Sequence, residues 1–141
     1  MHNTDFSESE AIARRVIECT LPKAEWTHEA HLRVGLWHVL QLGPDEALIQ
    51  LRQRISAYNE SVGTANTDAS GYHETITRFY VKVIAQFVAS VDATRPADDL
   101  AAEFIRRFGD RTLAMRFFDE DRLMTPLARS SWIEPDRPVR L

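Results

Sequence analysis

Apolar residues recur every three or four positions along most of this chain and almost nowhere every second one, a pattern that predicts helices and no strands. Ser7-Glu8-Ser9-Glu10 has the form of a capping box, with Ser7 as N-cap and Glu10 reaching back. The helix it opens is expected to run to about Thr20, to turn Ile12, Val16 and Ile17 inward, and to end at Leu21-Pro22. Thr27 is placed to cap a second helix reaching about Leu42. Gly43-Pro44 closes it, and Asp45 is placed to cap a third, which carries Leu48, Leu51, Ile55, Tyr58 and Val62 and ends near Gly63. The stretch from Gly63 to Gly71 is irregular and rich in small polar residues. A fourth helix follows from about Tyr72 to Val91, with Ile76, Phe79, Tyr80, Val83 and Phe87 inward. Arg95-Pro96 opens a fifth, and Gly109 lies just past its end. A short sixth is expected over Thr112 to Phe118. From Asp119 onward, Pro126, Pro135 and Pro138 predict an extended or partly helical tail (119–141), packed on the body by Leu123, Leu127 and Trp132. The expected class is all-α: a single-domain up-and-down bundle of five to six helices with a Pro-rich C-terminal tail.

Composition narrows the setting. A length of 141 residues suits one domain, spanning 1–141, with 44% apolar and 27% charged residues, as in a globular protein. No apolar run approaches a membrane span, and the polar start Met1-His2-Asn3-Thr4-Asp5 lacks a signal peptide's pattern. Cys19 is the only cysteine, which excludes an intramolecular disulfide and fits a reducing, cytoplasmic compartment; the residue itself reads as a small core side chain. Net charge is −4 with no Lys/Arg stripe, which argues against nucleic acid as a partner. A homodimer through an exposed helix face or the tail is compatible with the pattern.

Candidate chemistry sits at two helix starts, Trp26-Thr27-His28-Glu29-Ala30-His31 and Gly71-Tyr72-His73-Glu74-Thr75. Residues three apart share a helix face, about 60° around the axis and roughly 4.5 Å along it. Short connections make neighbouring helices antiparallel, so the second and fourth helices run the same way and their N-termini share one end of the bundle. His28, His31 and His73 are then expected to converge beside the 63–71 stretch and the end of the third helix, where Tyr58 and Asn59 lie. The positive end of a helix dipole disfavours imidazolium, and neutral imidazole is what a metal ion needs. One expectation is therefore a divalent transition metal (Zn, Fe, Ni, Cu or Mn) on His28, His31 and His73, with an oxygen ligand from Glu74, Glu29, Asp68 or water. Glu74 or Glu29 would act on protons, and the 63–71 stretch would form a lid over a small-molecule substrate held by Trp26, Tyr58, Asn59 and Tyr72. A second expectation is metal-free acid–base chemistry at His73, oriented by Glu74 or Glu29, with Tyr72, Tyr58, Asn59 and Thr75 supplying hydrogen bonds to a substrate. A third is a non-catalytic ligand-binding or interaction module whose histidines are structural. Acids in a first helical turn need no function, because they favour that end. His38 lies about 10 Å along the helix from His31 and reads as a core or rim histidine. His2 reads as a terminal residue, and Gly35 as a point of close helix packing.

Trp26-Thr27-His28-x-x-His31-Leu32, followed by Tyr72-His73-Glu74-Thr75, resembles a family of small bacterial proteins. That family shares aromatic-Thr/Ser-His-x-x-His-Leu/Val and then Tyr-His-Glu-Thr some forty residues later. The resemblance covers residues 24 to 90, with a weaker match in the Pro-rich tail. It implies that the two segments work as one unit, and it implies no particular activity.

Overall fold

The computed structural model describes residues 7–141, so His2 lies outside the described residues. It is all-helical: α1 Glu8–Ile17, α2 His28–Leu42, α3 Pro44–Ser61, α4 Glu74–Ser90, α5 Ala97–Phe108, α6 Glu120–Leu123 and α7 Pro126–Ser130, with 3-10 turns at Lys23–Glu25 and Leu113–Arg116. Helix α2 is central and packs on α1, α3, α4 and α5. Contacts give the directions. His38 and Arg54 pair near the middle of α2 and α3, the start of α3 lies beside the end of α4, and the end of α3 lies beside the start of α4. Helices α2 and α4 therefore run alike, with α3 antiparallel to both.

The core is aromatic and aliphatic, with Tyr58, Phe79, Phe87, Phe104, Phe118 and Ile84 almost wholly buried. Each such side chain contributes on the order of 1.5–3 kcal/mol on burial. No helix among the described residues is long and apolar enough to cross a membrane.

Several local expectations change in three dimensions. Helix α1 stops at Ile17, short of Thr20, in a Schellman closure: Cys19 N–H donates to Val16 O (3.0 Å) and Thr20 N–H to Arg15 O (2.8 Å). Cys19 occupies the left-handed position at φ 60° and is exposed, a cap residue where a core one was expected. With Ala13 and Val16 filling the inward positions, Ile17 is left 36% exposed. Gly43, not Asp45, precedes α3; Pro44 is its first residue, and Asp45 falls inside the first turn. The expected sixth helix is only the 3-10 turn Leu113–Arg116. The tail forms α6 and α7 before running extended, and Leu123 is buried whereas Leu127 points out at 64% exposure.

This tail closes over the start of α4. Thr75 Oγ1 donates to Ser131 O (2.9 Å) and accepts from Ile133 N–H (3.2 Å), while Arg129 Nη1 donates to Gly71 O (3.0 Å).

Candidate functional site

Helix α2 begins as expected: Thr27 Oγ1 accepts from Ala30 N–H at 3.2 Å. One turn on, His31 Nδ1–H donates back to Thr27 O at 2.7 Å, which fixes the ring and its tautomer. One face of that ring stacks on Trp26, centroids 3.6 Å apart, and Tyr58 meets Trp26 edge-on at 5.4 Å. Nε2 is left as an acceptor with no described residue bonded to it. Burial lowers the His31 pKa, the hydrogen bond to Thr27 O opposes the drop, and the ring is neutral at pH 7.

His31 stands where two cavities join. The outer one, about 360 Å³, is lined by Trp26, Asn59, Thr64, Tyr72 and His73 among others. The inner one, about 80 Å³, is a slot between α2, α3 and α4 walled by Leu32, Gly35, Leu51, Ile55 and Ile84. Both are also lined by Ile55, Ile76 and Thr77, so they form one cleft. Gly35 sets the slot's width: a Cβ there would stand 3.0 Å from Ile84 Cδ1.

The second segment forms one wall of this cleft. His73 is the N-cap of α4, a role normally taken by Ser, Thr, Asp or Asn. Its Nδ1 accepts from Ile76 N–H (3.1 Å) and its Nε2–H donates to Leu123 O (2.8 Å). Both ring nitrogens are thereby engaged, and burial keeps the imidazole neutral by lowering its pKa. Glu74 is buried. Its carboxylate accepts two bonds from Arg52, Nε at 2.9 Å and Nη2 at 2.7 Å, and one from Tyr72 Oη at 2.8 Å. Burial raises the Glu74 pKa, but the Arg52 and Tyr72 hydrogen bonds and the Arg52 charge outweigh it, so the carboxyl stays ionised.

The 63–71 stretch is organised by Asn66. Its Oδ1 accepts from Asn59 Nδ2 (3.1 Å) and Tyr72 N–H (2.9 Å), and its Nδ2 donates to Ser56 O (2.9 Å). Gly71 has φ +80°, and a Cβ there would fall 2.5 Å from Asn66 Oδ1 and 2.6 Å from Ala65 O, so glycine is required.

The structure thus brings His31, His73, Trp26, Asn59 and Tyr72 around one cleft and places four other candidates elsewhere. Tyr58 is fully buried behind Trp26, its hydroxyl donating to Leu21 O at 2.8 Å, and it lines neither cavity. Glu29 is exposed on a separate surface cleft with Glu8 and Arg33. Glu74 is closed into its ion pair. His28 lies beyond Tyr80, edge-on to it at 6.0 Å; its Nε2, like Tyr80 Oη, is buried with no hydrogen-bond partner among the described residues. Burial and the Arg111 charge lower its pKa, partly offset by the Gly109 backbone. Among the described residues no group of three or more His, Cys, Asp or Glu side chains is placed to hold a metal ion. The physical reason is visible in the rings: His73 has no free nitrogen and His28 is turned into a different contact. Sequence reasoning missed Arg52, Asn66 and the slot at Gly35, since each matters through partners six or more residues away. His38 is the core histidine expected, bonded to Val34 O (2.8 Å) and accepting from Arg54 (3.0 Å).

Fold and site together define a small all-α protein with a neutral, histidine-bearing cleft between its central helices. Compared with known proteins, the chain matches no family model, no curated protein and no solved structure.

Proposed function

We propose that this protein binds a small organic molecule in the cleft between α2, α3 and α4, with His31 Nε2 as the hydrogen-bond acceptor and the group able to take a proton from the ligand. One observation carries the reading. His31 is tautomerically fixed by Thr27 O, neutral, and presents its remaining lone pair where the polar mouth meets the apolar slot. The remaining polar groups support rather than react: His73 caps α4, and Arg52–Glu74–Tyr72 braces the wall. Of the chemistries expected from sequence, acid–base or binding use of an unmetallated histidine has the stronger support, with the role passing from His73 to His31.

The test is a fragment screen read by amide and histidine ¹⁵N shifts. Ligands are expected to move His31 Nε2 and the amides of residues 26–35 and 64–77, and His31→Ala is expected to weaken them at least tenfold. Hits mapping elsewhere, or unaffected by His31→Ala, would overturn the reading. Elemental analysis of tag-free protein is the counter-test. Stoichiometric transition metal, lost alike in His28→Ala, His31→Ala and His73→Ala, would favour a metal centre instead.

A further inference from the structure

We infer that the cleft selects an uncharged amphiphile: an un-ionised, hydrogen-bond-donating head at His31 and a short aliphatic tail in the slot beside Gly35. This rests on the small-molecule reading above and adds the chemical class of the ligand.

The charge rule comes from what lines the cleft. No Lys, Arg, Asp or Glu lines either cavity. The nearest ion pair, Arg52–Glu74, is satisfied internally, with Glu74 also bonded by Tyr72. An ionised head seated at His31 would lose part of its hydration without gaining a counter-charge, which disfavours it. The polar side chains at the mouth include His31, Asn59, Thr64, Tyr72, His73 and Thr77, all of them uncharged hydrogen-bonding groups. Since His31 spends its N–H on Thr27 O, it offers only a lone pair, and the head that meets it must bring an O–H or N–H. Alcohols and primary amides meet this requirement; carboxylates do not.

The tail rule comes from the slot. Beyond His31 the lining turns to Leu32, Leu51, Ile55 and Ile84, and the missing side chain at Gly35 keeps it open. Burying a methylene there is favourable by the hydrophobic effect, so affinity must grow with chain length until the slot is filled.

The experiment titrates ¹⁵N-labelled protein at pH 7 with acetamide, butanamide and hexanamide, and with hexanoate as the charged match. Affinity is expected to rise roughly threefold to fourfold per methylene along the amides. Hexanoate is expected to bind at least tenfold more weakly than hexanamide. Gly35→Ala is expected to weaken hexanamide while leaving acetamide unchanged. Hexanoate binding as tightly as hexanamide would overturn the charge rule, and affinity independent of chain length would overturn the tail rule. Either result leaves the small-molecule reading standing. If no amide perturbs the cleft while the fragment screen still finds binders there, the inference alone fails. If neither does, both fail. The amide series uses the unaltered protein, so it decides the matter even if Gly35→Ala folds poorly.

Discussion

At the scale of single residues, two side chains hold unusual positions, and each yields a test. Cys19 is a non-glycine residue at φ 60°, in a cap position that glycine occupies at less conformational cost. Cys19→Gly is expected to raise stability by about 0.5–1 kcal/mol in urea denaturation, because strain relief in the folded chain exceeds the added freedom of the unfolded one. His73 is an imidazole N-cap that also ties α4 to the tail through Leu123 O. His73→Ala removes both bonds and should cost about 2 kcal/mol. His73→Asn, which retains a cap acceptor but not the bond to Leu123, should recover roughly half of that. Equal losses in the two variants would show that the cap contributes nothing.

At the scale of elements, the cleft depends on how the start of α4 is braced. Arg52 reaches from α3 to the buried Glu74, and the 63–71 stretch turns tightly at Gly71. Arg52→Ala leaves the carboxylate with only Tyr72 as partner. A loss of about 1–2 kcal/mol is expected, discounted because Arg52 is itself half exposed. Gly71→Ala places a methyl against Asn66 and Ala65 O at a positive φ, and should cost about 2 kcal/mol or more. Its diagnostic signature is local: amide exchange should quicken across residues 64–77 while α5 remains protected.

At the scale of the whole molecule, all four described histidines have pKa values lowered chiefly by burial, and His38 is brought to about 4. The sign follows from linkage. Above about pH 6.5 these rings are neutral both folded and unfolded, so they impose no penalty. As pH falls below 6.5 the unfolded chain takes up protons that the native chain refuses, and stability drops until His38 titrates near pH 4. His38 alone accounts for roughly 3 kcal/mol over that window. Urea midpoints at pH 7.5 and pH 5 should differ accordingly, and His38→Gln should flatten the dependence. A pH-independent midpoint would mean that the histidines are solvated rather than packed.

Local signals alone determined much of this protein. Hydrophobic spacing sets the all-α class, and short-range capping sets the starts of α1 and α2, because those bonds join residues three apart. Topology follows from the short turn at Gly43-Pro44, and it correctly brings His31 and His73 to one end of the bundle. What only the tertiary structure decided is which atoms remain available there. Leu123 O, 50 residues from His73, occupies its Nε2; Arg52, 22 residues from Glu74, closes the carboxylate; and Tyr58 is drawn inward by Leu21 O. Histidine spacing is a property of one helix, whereas a free lone pair depends on every element packed around the ring. For that reason the two motifs located the cleft, and the packing left His31 Nε2 unbonded by any described residue within it.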